Sequence, residues 1–266
     1  MEHFLPKHTE FNLNLDPITN FFIPQYVSAH KEDLNSFLFR SDEFTNVHHG
    51  KHILFSGCSY TYGNGLELEE IWSKVLYNKI LKNNQCSGYF NLGVYGHGAI
   101  HIISNLFKYF KQYGNPDVIF INLPDLPRFT LNKNSRYRVV RLEDKSFIDL
   151  VYYLTYEYYL MLETYCKSNN IKLFSFSWDI KEDKDFLFKR DKNFKSTNDF
   201  FDSYNFNTFY KIDEVEYYKE IKKILKYDKN QYSITSRDGF HPGTSFHIAY
   251  ANFIYDKYIK LENNKK

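Results

Sequence analysis

The sequence is short of the features that announce a compartment or a special cofactor. Its three cysteines, Cys58, Cys86 and Cys166, are odd in number and form no CxxC pair, which argues against a disulfide framework and against zinc. No apolar run approaches the roughly 20 residues that a membrane-spanning helix needs. The stretch Met1–Phe22 is broken by Pro6, Pro17, Glu2, Glu10 and Asp16, so it is not expected to act as a secretory signal. A soluble protein in a reducing, cytoplasmic setting with no membrane partner is the expectation. Net charge is only +2, and the lysines are interleaved with Asp and Glu, as in the stretch from Ile180 to Lys195. Without a basic stripe to neutralise a row of phosphates, nucleic acid is not an expected partner.

What the chain does have is a globular balance, 43% hydrophobic and 25% charged, which excludes disorder. Its 266 residues suffice for one large α/β domain or two small ones. Aromatic residues reach 20%, a content that fits either a stacking surface for sugars or bases, or a codon bias toward Phe and Tyr. The same residues also fill the polar connections, which favours the second account.

Periodicity organises the chain from residue 50 onward. Before it, Met1 to His49 reads as an extended arm packed on the domain, with a short helix near Lys31 to Phe39. His52 to Gly57 is an apolar run ending in glycine, the pattern of a strand buried on both faces. Leu68 to Leu81 carries Ile71, Trp72, Val75, Leu76 and Ile80 at helical spacing, with acids at its start. Tyr89 to Val94, Asp117 to Leu123 and Ile171 to Trp178 read as three more strands. Ala99 to Tyr113, Phe147 to Asn169, Ile212 to Tyr227 and Thr244 to Ile259 read as helices. Pro124 to Asp144 and Ile180 to Phe209 lack a clear period and read as irregular excursions. Strands alternating with helices predict a parallel sheet covered on both faces, with any site at the strand C-terminal ends.

Three short segments carry candidate chemistry. In Gly57-Cys58-Ser59-Tyr60-Thr61-Tyr62-Gly63 a strand gives way to a polar turn, which places Ser59 at the rim of the sheet with backbone N–H groups beside it. The same residues could simply build and cap a tight turn. Asp238-Gly239-Phe240-His241-Pro242-Gly243 precedes the last helix. Its three-residue spacing lets the carboxylate orient the imidazole, although it also suits a helix-entry loop. Gly93-Val94-Tyr95-Gly96-His97-Gly98 follows the second strand, where a glycine lets a backbone N–H approach a ligand oxygen or merely serves the turn. It does not meet GxGxxG, so no dinucleotide is implied.

In combination these segments resemble the SGNH (GDSL-like) hydrolase family. The resemblance implies a three-layer α/β/α, flavodoxin-like parallel sheet over about residues 50 to 260, in an SGNH-like domain of residues 50–266. It also implies a serine esterase that needs no cofactor. Ser59 takes the nucleophile's position, with Cys58 where the family has Asp. Asp238 and His241 match the family's DxxHP block as acid and base. Gly96 matches the glycine that, with the Ser59 N–H, donates to the oxyanion. The family's third block reads GxND, and its Asn is a further donor. Here Ile121-Asn122-Leu123-Pro124-Asp125 puts Pro124, which has no donor, at that position. Asn122, two residues earlier on the same strand face, is the candidate replacement, with Arg128 as the next polar candidate and a possible substrate-binding residue.

Other readings carry less. His97, His101 and His247 have no carboxylate or thiol nearby to complete a metal site, and are expected at surfaces or helix starts. Trp72 and Trp178 are expected in the core. Arg128, Arg136, Arg138 and Arg141 could clamp an anion, but solvated loop positions explain them as well. The leading expectation is hydrolysis of a small or carbohydrate O-acyl ester. A catalytically weak protein of the same fold that binds a glycan or a protein partner is the alternative, and an acyltransferase is a third. Oligomeric state is not legible.

Overall fold

The structure is a computed structural model and describes residues 11–15, 22–24, 31–126, 128–133, 136–141, 145–178, 197–227, 232–239 and 241–263. Two short strands come first, β1 (Phe11–Leu15) and β2 (Phe22–Pro24). Strands β3 (Ile53–Gly57), β4 (Phe90–Gly93), β5 (Val118–Leu123), β6 (Arg128–Lys133), β7 (Arg136–Arg141) and β8 (Lys172–Ser177) follow. The helices are α1 (Ser59–Tyr62), α2 (Trp72–Leu81), α3 (Ala99–Tyr113), α4 (Lys145–Ser168), α5 (Thr197–Ser203), α6 (Glu214–Tyr227) and α7 (Thr244–Asn263).

The central sheet has the order β4-β3-β5-β8, parallel throughout. Counted along the chain this is 2-1-3-4, the flavodoxin-like order, in a fold of the α/β class. Successive residues of each strand enter opposite cores. Ile53, Phe55, Val118, Phe120, Phe174 and Phe176 pack with Trp72, Leu76 and Ile80 of α2 and Ala251 and Ile254 of α7. Leu54, Leu92, Ile119, Ile121 and Leu173 pack with Ile102, Ile103 and Leu106 of α3 and with Tyr159 and Leu162 of α4. Two apolar faces explain why the strands read as unbroken hydrophobic runs, and they make the fold three-layered.

Local chemistry sets the element ends. The expected helix over Leu68–Leu81 is divided. Leu68–Glu70 forms a 3₁₀ turn closed by a capping box in which Glu70 accepts from the Glu67 N–H at 2.8 Å, and α2 starts at Trp72 after the extended Ile71. The stretch expected to be irregular after β5 contains the hairpin β6–β7. Its strands are rich in arginine, which disguised a period-2 pattern. Strand β1 pairs antiparallel with β7 and with β2, so residues expected in an arm form half of a second sheet, β2-β1-β7-β6. Lys31–Asp33 is a 3₁₀ turn rather than a longer helix. Of the second excursion, residues 179–196 lie outside the described residues, and Thr197–Ser203 is helical.

Two features prepare the strand ends for a site. The register pairs Gly57 with both Gly93 and Asn122, so three strands end level. The single turn of α1 then lies directly on that edge. A Cβ on Gly57 would meet Thr61 Oγ1 at 2.1 Å, and one on Gly93 would meet Tyr62 N at 2.6 Å and Thr61 C at 2.7 Å. Asn91 fastens the contact: its Nδ2 donates to Thr61 O at 3.0 Å, and its Oδ1 accepts from the Gly93 N–H at 2.8 Å. From below, buried Arg40 donates to Gly63 O at 2.8 Å and Leu66 O at 2.9 Å and pairs with Asp33 at 2.7 Å.

Gly93→Ala therefore forces backbone against backbone and is expected to cost about 1–3 kcal/mol. Thermal unfolding should show a matching fall in Tm relative to the wild type. An unchanged Tm would show that α1 yields easily.

Candidate active site

Ser59 is the first residue of α1, immediately after β3, and is only 3% exposed. His241 and Asp238 lie in the loop before α7. His241 Nδ1 stands 2.6 Å from Asp238 Oδ2, and His241 Nε2 stands 3.0 Å from Ser59 Oγ. With the carboxylate accepting the Nδ1 proton, Nε2 keeps its lone pair and accepts from the Ser59 hydroxyl. Asp238 is itself fixed. Its Oδ1 accepts from Ser236 Oγ at 2.7 Å and from the His241 main-chain N–H at 3.0 Å. The three residues thus form one hydrogen-bonded chain across 182 positions of sequence.

This loop is clamped to the segment that follows α1. Arg237 N donates to Gly65 O at 3.0 Å. The Arg237 guanidinium reaches Glu70 at 2.6 Å and 3.3 Å in a forked pair. Gly65 has φ of +71°, and a Cβ there would come within 2.8 Å of Asp238 N and 2.7 Å of Ser236 Oγ. Glycine is required at this position both for its conformation and for the approach of the acid's loop.

The turn after β4 supplies Gly96, buried with φ of +74°. His97 Nδ1 lies 3.3 Å from Tyr95 O within this turn, and the Tyr95 ring lies 6.2 Å from that of His241. Among the described residues no acceptor takes the N–H of Ser59 or of Gly96. Asn122 sits apart from the hydrogen-bonded chain. It is 1% exposed, and its Oδ1 accepts from Tyr250 Oη at 2.9 Å. Pro124 is buried, and its carbonyl accepts from Thr197 Oγ1 at 2.9 Å. Arg128 opens β6, and its side chain lies outside the described residues.

No family model matches this chain, and no curated protein matches it. Among solved structures it is similar to the crystal structure of the psychrotrophic esterase EstA from Pseudoalteromonas sp., inhibited by monoethylphosphonate. The identity is 17% and the TM-score 0.49, covering 79% of this chain and 98% of the esterase.

Beside the hydrogen-bonded chain lies a small open pocket lined by residues that include Tyr60, Trp178, Asn122, Pro242 and His247. Tyr60 stacks on Trp178 at 4.0 Å, and its ring lies 5.6 Å from that of His241. His97 and His247, expected at surfaces or helix starts, lie at the starts of α3 and α7, and both are buried. Burial, and then the proximity of His241, lower the pKa of His247 to about 3, so it is neutral. Its Nδ1 accepts from the Trp72 N–H at 3.0 Å. Trp178, expected in the core, is half-buried at this pocket. Sequence reasoning gave no role to Asn91 or Arg237, and read Glu70 only as one of the acids at a helix start. A glutamate closing a capping box was the available signal for Glu70, while Asn91 and Arg237 act through contacts distant in sequence. No helix is long and apolar enough to cross a membrane, and no group of three or more His, Cys, Asp or Glu suited to a metal occurs among the described residues.

A proton shared across 2.6 Å between imidazole and carboxylate is strongly deshielded. One far-downfield ¹H NMR signal is expected from His241 Nδ1–H, and Asp238→Ala should abolish it while leaving the amide spectrum folded. Its persistence in the variant would show that the bond does not form.

Proposed function

We propose that this chain is a serine esterase that hydrolyses small or carbohydrate O-acyl esters, acetyl esters foremost. The observation that carries the reading is the bonded chain Ser59–His241–Asp238, with distances of 3.0 Å and 2.6 Å and the imidazole oriented for proton transfer. Ser59 Oγ attacks the ester carbonyl carbon as its proton passes to His241 Nε2. Asp238 stabilises the imidazolium so formed. The oxyanion takes hydrogen bonds from the N–H groups of Ser59 and Gly96, which are unclaimed by protein acceptors. Collapse breaks the bond to the alkoxide, which leaves with the proton from His241. Water then attacks the acyl-enzyme with His241 as base, releasing the acid and restoring the Ser59 hydroxyl. The chemistry needs no cofactor. A reducing, cytoplasmic setting suits the three unpaired cysteines.

A specific observation favours a second reading, a weakly catalytic protein that binds a glycan or a protein partner. Pro124 offers no donor where the resembled family has Asn, and loss of one oxyanion donor costs roughly 10²–10³ in kcat. The esterase is therefore expected to be slow but measurable.

With p-nitrophenyl acetate, Ser59→Ala and His241→Ala should each lower turnover at least about a thousandfold if the triad acts as a unit. A serine-reactive phosphonate should label Ser59 in the wild type. Absence of the adduct, with turnover no higher than that of Ser59→Ala, would overturn the esterase reading and leave the binding protein.

A further inference from the structure

A buried cation next to the site comes from a part of the chain that precedes the central sheet. Arg40 stands before β3 in sequence, yet its side chain reaches under α1 and is 2% exposed. Its Nη1 donates to Gly63 O at 2.8 Å and to Leu66 O at 2.9 Å and lies 3.5 Å from Tyr62 O, while Nη2 donates to Asp33 Oδ2 at 2.7 Å. The loop that delivers it is held by its own bonds. Asn35 Oδ1 accepts from the Phe37 and Phe39 N–H groups at 3.0 Å and 3.1 Å, and the Asn35 N–H donates to Phe39 O at 2.9 Å. Leu38 completes this turn at a φ of +66°, a strained conformation for leucine that persists because the surrounding bonds over-determine it. Ser41 and Asp42 then fasten the loop to the edge of the sheet. The Asp42 N–H donates to Tyr89 O at 3.0 Å, the Tyr89 N–H donates to Asp42 Oδ2 at 2.8 Å, and the Asn91 N–H donates to Ser41 Oγ at 3.1 Å. The guanidinium is thus presented from a fixed base.

What it holds is the turn that carries Ser59. With four residues, α1 is too short to be stable alone. Ser59 O accepts from the Gly63 N–H at 2.8 Å and from the Asn64 N–H at 3.2 Å. Gly63 is therefore bonded on both sides, to Ser59 through its N–H and to Arg40 through its carbonyl. The end of a helix leaves carbonyls without intrahelical partners and carries partial negative charge, and a buried guanidinium answers both.

We propose that Arg40 is a positioning residue for Ser59. Acting through Gly63 and Leu66, it keeps the turn where Ser59 Oγ stands 3.0 Å from His241 Nε2. Its part in turnover rests on the esterase reading, whereas its hold on the turn does not. Methionine at position 40 leaves the buried carbonyls and the Asp33 carboxylate without their donor. Lysine keeps the charge but lacks the planar fork that spans two carbonyls and a carboxylate. Asp33→Asn keeps the guanidinium and an acceptor for it. The expected order of loss is Arg40→Met, then Arg40→Lys, then Asp33→Asn.

The experiment uses the full chain and takes two measurements on each variant. The first is amide hydrogen exchange by NMR. In Arg40→Met the Tyr62, Gly63 and Asn64 N–H groups should exchange at least about tenfold faster while those of Ile119 and Ile121 in β5 keep their protection, the pattern of a local opening. The second is kinetic. With p-nitrophenyl acetate, kcat should fall about tenfold to a hundredfold with KM within about twofold, the scale of a misplaced reacting group. Phosphonate labelling of Ser59 should slow in the same ratio and still run to completion, because every molecule retains the hydroxyl. Arg40→Lys should recover part of both rates, and Asp33→Asn should show the same pattern more weakly where Arg40→Met does not fold. Unchanged exchange in the turn would overturn the proposal. So would exchange that rises equally in β5 together with a smaller fraction labelled, since Arg40 would then serve only global stability. Wild-type labelling whose rate the Arg40 variants match would sink the positioning role and leave the esterase standing. Faster exchange confined to the turn, in a protein whose wild type neither turns over nor labels, would keep the hold of Arg40 on the turn and sink the esterase reading.

Discussion

The approach of α1 to the strand ends is the constraint on which the site depends. A single helical turn rests on β3 and β4 so closely that neither Gly57 nor Gly93 has room for a Cβ. That approach sets Ser59 against a sheet packed on both its faces. The neighbouring contacts maintain the approach. Asn91 ties the turn's carbonyl to β4, Gly63 ends α1 in a left-handed conformation, and Arg40 gathers the carbonyls that follow. A side chain held in this way has little conformational freedom left to lose; on the proposed reading this favours a reactive geometry.

Asp238 and His241 stand on a loop whose placement has a different physical origin. Hydrogen bonds and one forked ion pair attach residues 236–241 to the segment after α1. Arg237 and Glu70 are partly exposed, and such a pair alone stabilises a fold little. Here it acts beside a main-chain bond to Gly65, where both the backbone conformation and the close approach require glycine. Ser59 and Asp238 are thereby referred to the same short piece of chain, residues 59–70. A shift of that piece carries Ser59 and Asp238 together instead of separating them.

Most of the central sheet was legible because strands buried on both faces leave continuous apolar runs, and α3 was legible because its apolar residues recur at helical spacing. The bounds predicted for α3 match the structure, and those of β5 and β8 differ by one residue or so at their ends. The hairpin β6–β7 was not legible, since alternating arginines look like a solvated loop until a partner strand is known. Ser59, Asp238 and His241 were named from local spacing plus a family resemblance. Their mutual geometry was not in the sequence, because it arises from contacts between positions 182 apart. The depth of His247 was also hidden. A histidine in the first turn of a helix reads as polar surface unless the sheet end beneath it is known to turn inward.

The relation between Asn122 and Pro124 bears on how the site divides its work. Strand side chains alternate, so Asn122 shares a face with position 124 but lies one step deeper, opposite Gly57. There its amide oxygen is engaged by Tyr250, and it lines a pocket with Tyr60, Trp72 and His247. A donor displaced by two residues along a strand moves by about 6.6 Å, more than a hydrogen-bonding reach. It therefore serves a different oxygen from one held at position 124. On the proposed esterase reading, oxyanion stabilisation therefore rests on the backbone N–H groups of Ser59 and Gly96 rather than on a side-chain amide, and the reaction runs with one donor fewer.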